Sequence, residues 1–387
     1  MNHSQDATSK RDPVCGMQGT LERHGQWFCS EHCATAYAKQ QAAAPAGALH
    51  VHARRHWLLD PWVWVPLSGL GLWSAGWWFP PAAAVSEQYR GYVGRVLVPS
   101  LIGLVIGGLV DHYVPREYII RWLSGSRKRV IARATLLGFL ASTCSHGCLA
   151  LSLELYRKGA SVPAVVSFLL ASPWASMSLT LILLSLFGLH GLTIVVSALV
   201  VAFITGLIFQ RLARRGLLET NPNTITIDAS FSIRADIARR YQAHTWTPAH
   251  LAQDARGVAR GTWSLGRMVL GWVQLGLILS AALGALVPQH VFLQYLGPTP
   301  AGLLLTLLGA TLIEVCSEGT APLAYELYRQ TGALGNAFVF LMSGVVTDYT
   351  ELGALWKTIG RRTVFWLVTV TLPIVCVIGL LLNWIRW

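Results

Sequence analysis

The chain has 387 residues, of which 53% are hydrophobic and only 12% charged, and its mean hydropathy is +0.48. Soluble globules carry roughly 25% charged residues, so this composition excludes a water-soluble protein and indicates a polytopic membrane one. The formal charge of +12 does not mark a nucleic-acid partner, because the Lys and Arg residues cluster between apolar stretches, as in loops that stay in the cytoplasm.

In chain order, residues 1–40 form a polar head that lacks the apolar core of a secretory signal. A cytoplasmic N-terminus is therefore expected. The head holds Cys15, Cys29 and Cys33, which in a reducing compartment are better metal ligands than disulfide partners. The Cys29-x3-Cys33 spacing places two thiols one helical turn apart behind Ser30 as cap, and His24-Gly25 fits a turn between two short strands. With Cys15 they make a soft site for Cu(I), Zn(II), Hg(II) or As(III), which Met17, His24 or His32 can complete. A structural zinc module, or cysteines that merely pack, are the alternatives. The runs Asp12-Pro13-Val14-Cys15-Gly16-Met17 and His24-Gly25-Gln26-Trp27-Phe28-Cys29-Ser30-Glu31-His32-Cys33, with Tyr37, resemble the YHS domains, related to the heavy-metal-binding TRASH group.

Residues 41–56 are an Ala/Pro/Gly linker that ends in His50, His52, Arg54, Arg55 and His56, a cluster suited to lipid headgroups. Residues 57–90 supply one extra transmembrane helix, near Pro61–Phe79, and an outer loop. Apolar stretches then follow at Val93–Val110, Ile131–Tyr156, Pro163–Phe187 and Leu192–Phe209 within 91–215. After a polar loop at 216–262, four more occupy 263–387: Leu265–Val287, Ala301–Tyr328, Ala333–Leu355 and Val364–Trp384. Pro115–Arg129 is basic and amphipathic and suits a helix lying on the inner leaflet, with Gln289–Gly297 as its uncharged counterpart.

Two stretches are interrupted, one by Cys144-Ser145-His146-Gly147-Cys148 and the other by Cys316-Ser317-Glu318-Gly319-Thr320. The runs are 172 positions apart (316 − 144), and at that offset Cys144, Ser145, Gly147, Leu151, Glu154, Leu155, Tyr156 and Arg157 meet identical residues. That is an internal repeat. If Ile131–Tyr156 crossed the membrane, Arg211, Arg214 and Arg215 would fall outside; as a re-entrant hairpin it leaves every basic cluster inside. Ile131 to Thr143 makes only about 20 Å of helix against a core of about 30 Å. The expected fold is an all-α polytopic inner-membrane protein of two inverted repeats, each with a re-entrant helical hairpin, plus the small cytosolic Cys-rich module.

Irregular backbone at membrane depth must face protein or a water-filled cavity, and paired interrupted segments point to a transport site. The candidate substrate-binding residues are Cys144, Ser145, His146, Cys148, Cys316, Ser317 and Glu318, since converging thiols suit a thiophilic cation or metalloid. A carboxylate at mid-bilayer is costly and often carries a proton, which nominates Glu318, with His146 and Asp348, for proton coupling. Glu314 could share the Glu318 face, and Glu351 lies beside Asp348. Glu154 and Glu326 each stand three residues before an Arg, the spacing of a structural ion pair. Cys376 fits simple packing.

From Tyr92 to Trp384 the chain is similar to a family of predicted permeases that includes organoarsenical efflux permeases. The similarity rests on Cys144-Ser145-x-Gly147, Lys158-Gly159-Ala160, Phe168-Leu169-Leu170-Ala171-Ser172-Pro173 and Cys316-Ser317-Glu318-Gly319. It implies export of a thiophilic species with the motif cysteines in contact. His146 stands where a second Cys is frequent and Ala150 where a Pro is; with the metal-binding head, these turn the expectation toward a metal ion or its thiol complex. No Gly-x4-Gly-Lys-Ser/Thr run occurs, so no nucleotide is expected. Partners are the substrate and the bilayer, and a homo-oligomer is compatible. A membrane thiol oxidoreductase, a metal sensor or chaperone, and an importer of a sulfur compound are the competing readings.

Overall fold

The computed structural model describes residues 21–23, 26–28, 61–113, 128–141, 145–157, 159–222, 248–313 and 316–385. The chain divides into two compact units, Met1–Trp57 and Leu58–Trp387. In the first, β1 (Leu21–Arg23) and β2 (Gln26–Phe28) pair antiparallel, Leu21 opposite Phe28 and Arg23 opposite Gln26. The two strands flank residues 24–25, which lie outside the described residues. Cys15, Cys29 and Cys33 lie outside the described residues, as do Pro115–Arg127 of the expected surface helix.

The second unit is helical. Its elements are α1 (Pro61–Trp78), α2 (Ala83–Tyr113), α3 (Lys128–Ala141), α4 (Ser145–Arg157), α5 (Val162–Ala171) and α6 (Met177–Phe187). They continue with α7 (His190–Arg214), α8 (Pro248–Leu286), α9 (Gln289–Leu296), α10 (Pro300–Ile313) and α11 (Ser317–Thr331). The last are α12 (Leu334–Thr347), α13 (Tyr349–Thr358) and α14 (Arg361–Trp384). Among the described residues five helices are long and apolar enough to cross a membrane, Pro80–Leu109, His190–Arg214, Asp254–Leu286, Leu334–Thr358 and Arg361–Trp384. Their outward side chains remain apolar: Leu97, Leu101 and Val105 of α2 are 48%, 45% and 47% exposed. A row of that kind at helical spacing is a surface for lipid, not water. The chain is a multi-pass membrane protein.

Basic residues mark one end of the bundle. Arg157 closes α4, Arg211 and Arg214 close α7, Lys357 closes α13, and Arg361 opens α14. Cations in a last helical turn are favourable to the helix dipole. Near this end Ile131 of α3 packs on Gly206 of α7. The other arm of that hairpin returns to the same end, where Asn221 Nδ2 donates to the carbonyls of Tyr156 (2.7 Å) and Ala160 (2.8 Å).

The second interrupted stretch begins and ends at the opposite end. Gln289 Nε2 at the start of α9 donates to the Gln330 carbonyl at the end of α11, 3.1 Å. Asn336 Nδ2, just past that end, donates to the carbonyls of Leu296 and Gly297, both 2.9 Å, immediately before α10. The chain thus enters at Pro300 and leaves at Thr331 on one side. The four arms have 14, 13, 14 and 15 residues, about 20 Å each, too short to cross a core of about 30 Å. A corner of 101° separates α9 from α10, so α9 lies across the bundle end as a surface helix should.

Several features differ from the reading of the sequence: Ala333–Leu355, read as one span, breaks at Asp348, and the helix expected from Val93 starts at Ala83, where an outer loop was expected; two more follow. Pro163–Phe187 reads as one apolar span, yet it breaks at a 3-10 turn, Ser172–Ala175, and its halves are bent by 51°. Pro173 cannot donate a helical hydrogen bond, and Ser176, extended at φ −53 and ψ 117, restarts the chain as cap of α6 by accepting from the Leu179 amide. Second, α8 starts at Pro248, well inside the polar segment before Leu265. Those polar turns are held by α2: a Cβ on Gly108 would come within 2.3 Å of Thr262 Oγ1 and 2.8 Å of its amide nitrogen.

One tertiary cap ties the halves together at the basic end. Glu219, just past α7, accepts from the amides of Arg362 (2.8 Å) and Thr363 (2.9 Å) and from Thr363 Oγ1 (2.7 Å), the first residues of α14. Burial alone would raise its carboxyl, but those hydrogen bonds outweigh it and hold Glu219 below the usual 4.5. A lowered carboxylate contributes its full stabilisation above the unfolded-state value and loses it as pH falls through the folded one. Glu219→Ala should therefore cost about 1 kcal/mol at neutral pH, the scale of a lost helix cap. In thermal unfolding of detergent-solubilised protein, the gap between mutant and wild type should close as pH drops below 4.5.

Candidate functional site

The second interruption is a compact polar turn inside the bundle. Cys316, at φ −44 and ψ 142, stands just before α11, and its carbonyl accepts from the amides of Gly319 (2.8 Å) and Thr320 (2.9 Å) to start that helix. Two residues on, Glu318 is fully buried at 0% exposure. Its Oε2 accepts from Cys316 Sγ at 2.7 Å and from Ser317 Oγ at 3.3 Å. A thiol and a carboxylate in that contact can hold one proton between them, and the positive end of the α11 dipole favours negative charge there.

The third donor comes from the other half of the chain. Ser176 Oγ, at the break between α5 and α6, donates to Glu318 Oε1 at 3.2 Å and lies 2.7 Å from Ser178 Oγ. Two glycines let the long helices α2 and α8 close on this crossing. A Cβ on Gly103 would stand 2.2 Å from Ser178 Cα, and one on Gly276 would stand 1.9 Å from the Gly319 carbonyl oxygen. Both distances are impossible for a real side chain, so backbone meets backbone at the level of the two turns. Small residues at such crossings are how membrane helices approach closely.

Of the other predicted residues, Cys148 is fully buried on α4. Cys144 and Glu314 lie outside the described residues, and Ser145 and His146 are described only in backbone, as the start of α4. Asp348 is half-buried at the break between α12 and α13, where its Oδ1 accepts from the amides of Thr350 (2.8 Å) and Glu351 (3.1 Å) and from Thr350 Oγ1 (2.6 Å). Cys376 is half-buried against the core of α14, as packing requires. Among the described residues no group of three or more His, Cys, Asp and Glu side chains is placed to hold a metal ion.

Glu326 is the structural ion pair expected. It accepts from Arg329 Nε (3.0 Å) and Nη2 (2.8 Å) and from Gln330 Nε2 (2.7 Å), and it also takes a hydrogen bond from Tyr92. Beside it Arg95 donates to Tyr325 Oη at 2.8 Å, and Phe187 packs edge-on to the Tyr325 ring. This network, with Glu326 buried at its centre, pins the outgoing end of α11 to α2, two turns beyond Glu318.

Ser176 and Ser178 are the site residues that the sequence reading missed. The signal was the same offset that matched the motifs: 176 + 172 is 348, so Ser176 aligns with Asp348, and each caps the half-helix that follows its break.

The chain matches a family described as predicted permeases, ArsP_1, over residues 92–384. Among curated proteins it is similar to the UPF0718 protein YcgR of Bacillus subtilis, 24% identical over 291 residues that cover 73% of this chain and 91% of the relative. It is also similar to Rv2963 of Mycobacterium tuberculosis, a permease by provisional description, 26% identical over 252 residues and 60% of each chain. No solved structure matches it. The matched region contains both interrupted stretches, both helix breaks and the glycines that close on them, and by that match the chain belongs to the ArsP_1 family of predicted permeases.

Proposed function

We propose that this permease exports a soft heavy-metal or metalloid species, of the Cu(I), Hg(II), As(III) or organoarsenical class, from the cytoplasm in exchange for protons. The observation that carries this reading is the Cys316–Glu318–Ser176 crossing, a thiol hydrogen-bonded to a buried carboxylate where two interrupted helices meet. A thiophilic centre exchanges onto a thiolate rather than a thiol. When Cys316 takes such a centre its proton passes to Glu318 Oε2 and leaves on the cytoplasmic side; a proton taken up from outside through Glu318 then returns to the Cys316 sulfur and releases the cargo. Binding and proton movement are thereby coupled in one contact.

The two halves are read as inverted repeats. Their hairpins entering from opposite ends of the bundle, with breaks at matching positions, support this, and rocking of one half against the other would expose the crossing alternately. Cys144, Cys148, Ser145, His146 and Ser317 complete the path, with His146 and Asp348 as a second proton station. The basic end faces the cytoplasm by charge, so Cys15, Cys29 and Cys33 of the head would capture metal there and pass it on.

Inside-out vesicles containing the full chain test this with Cu(I), Hg(II), arsenite and a trivalent methylarsenical, with and without an interior-acid gradient. Wild type should accumulate one of them, and Cys316→Ser should lower the rate about tenfold to a hundredfold, the range seen when a metal site loses a supporting group. Accumulation of none, or unchanged transport by Cys316→Ser, would move the redox and sensor readings ahead.

A further inference from the structure

We propose that a groove between α1, α2 and α8 binds one anionic phospholipid of the leaflet opposite the basic end, with an acyl chain along the groove and the phosphate on Arg90. The groove holds a cavity of about 420 Å3. One wall is a row on α2 at helical spacing, Val93, Leu97 and Leu101; the facing wall is Pro66, Leu70 and Trp73 of α1, and α8 forms the floor. Its polar neighbours are turned on one another: Tyr89 Oη donates to Gln274 Oε1 at 2.9 Å, and Gln274 Nε2 to Ser68 Oγ at 3.1 Å. Ser100 offers the cavity no accessible oxygen. What remains is hydrocarbon, open on the lipid side, where Leu70 and Leu97 are 68% and 48% exposed. From Tyr89 to Leu101 the groove follows about 18 Å of α2, and one leaflet's share of a core of about 30 Å is about 15 Å. An acyl chain of a single leaflet fits that length.

The head of the groove carries charge. Arg90 stands three residues before Val93 in the α2 row, and Trp77 continues the α1 row four residues beyond Trp73. Arg90 Cζ lies 5.8 Å from the centre of the Trp77 ring, and Nη1 donates to the Trp73 carbonyl at 3.0 Å and to Ser86 Oγ at 3.2 Å. These contacts fix the guanidinium without neutralising it. Among the described residues no carboxylate pairs with Arg90, and Nε and Nη2 keep their hydrogens for an anion. A planar fork of that kind suits a phosphate.

Depth agrees with this partner. The first half of α2 lies at the end opposite the basic one, where Tyr92 and Arg95 bond to the outgoing end of α11. Arg90 is seven residues past Ala83 (90 − 83), about 10 Å along the helix. Long helical side chains lean toward the N-terminus, here toward the turn at Pro80–Ala82. The polar layer of a leaflet is about 5–7 Å deep, so the guanidinium meets phosphates while the groove continues below it into hydrocarbon. Trp is favoured at the same boundary. Both α1 and Arg90 precede the region matched to the permease family, which begins at residue 92. The lipid therefore joins the additional helix to α8 beside Gln274, two residues before the Gly276 contact.

Native mass spectrometry of the detergent-released full chain, titrated with phosphatidylglycerol or with phosphatidylcholine of the same acyl chains, tests this. Wild type should hold one phosphatidylglycerol about fivefold more tightly than phosphatidylcholine, the scale for one Arg at an anionic surface. Arg90→Gln should make the two lipids equal while phosphatidylcholine binding stays as in wild type. Leu97→Trp, which fills the groove from its exposed side, should lose the tight site for both. If Arg90→Gln fails to fold, the wild-type preference and Leu97→Trp still decide, because Leu97 faces outward and that variant leaves Arg90 in place. Equal affinity of wild type for both lipids, a preference that survives Arg90→Gln, or a tight lipid on Leu97→Trp would overturn the proposal. So would displacement of the lipid by inorganic phosphate, the mark of a plain anion site, or a dimer that carries no lipid, the mark of a second copy in the groove.

Discussion

Glu318→Gln should cut transport about a hundredfold, the lower range for loss of a group that takes a proton during a reaction. The carboxylate accepts from Cys316, Ser317 and Ser176 on its two oxygens. An amide of the same size offers one acceptor oxygen and an NH2 that points donor against donor. Of the three hydrogen bonds, those on one oxygen are lost, and each buried group left unpaired costs about 1–3 kcal/mol. Thermal unfolding of the detergent-solubilised variant should accordingly fall, and Glu318→Asp should recover stability less well than charge alone would predict, because the shorter side chain retreats from Ser176. Transport at the wild-type rate by Glu318→Gln would remove the carboxylate from the mechanism, whatever its effect on stability.

Gly276→Val should be among the most destabilising single substitutions in the membrane unit. Its first side-chain atom would stand 1.9 Å from the Gly319 carbonyl oxygen, so backbone must move on α8 or α11. Overpacking costs about 1–3 kcal/mol where side chains can yield, and here none is in the way to yield. A loss of about 3 kcal/mol or more is expected, read as a lowered melting temperature and as aggregation in size-exclusion chromatography. Gly344→Ala is the control: nothing lies within 4 Å of its added Cβ. It sits inside α12, where Ala is favoured over Gly by about 0.5–1 kcal/mol, so this variant should match or exceed wild type. Equal behaviour of the two glycine variants would mean that close approach at Gly276 does not hold the crossing.

These two results bear on one arrangement. The crossing of Glu318 and Ser176 is buried because α2 and α8 shut it in through Gly103 and Gly276, and the Glu318 carboxylate is satisfied because the break at Ser176 supplies a donor to its second oxygen. Further along α11, the Glu326–Arg329 pair with Tyr92 anchors the same helix to α2. A hairpin held at its tip and at its base moves as one piece, which suits a rocking element better than a flexible loop.

Much of this protein was legible in the sequence because the signals are local. Apolar runs of span length, Arg and Lys at their ends, and polar residues in the middle of two of them state a membrane protein with interrupted helices, since lipid tolerates nothing else. The Glu326–Arg329 ion pair followed from helical spacing alone. The break at Ser172–Ser176 did not, because Ser, Pro and Trp within an apolar run lower its hydropathy little, and the broken span reads as a continuous one. The partner of Glu318 was out of reach for a different reason: Ser176 lies 142 residues away, and only folding of the hairpin against the other half brings a hydroxyl to that carboxylate. The same holds for Gly103 and Gly276, which in sequence are two among 36 glycines and become specific only where two backbones must meet. The sequence by itself determined the apolar stretches, two of the interruptions and where charge sits; tertiary structure decided the remaining breaks and which break faces which, because that depends on contacts no local pattern encodes.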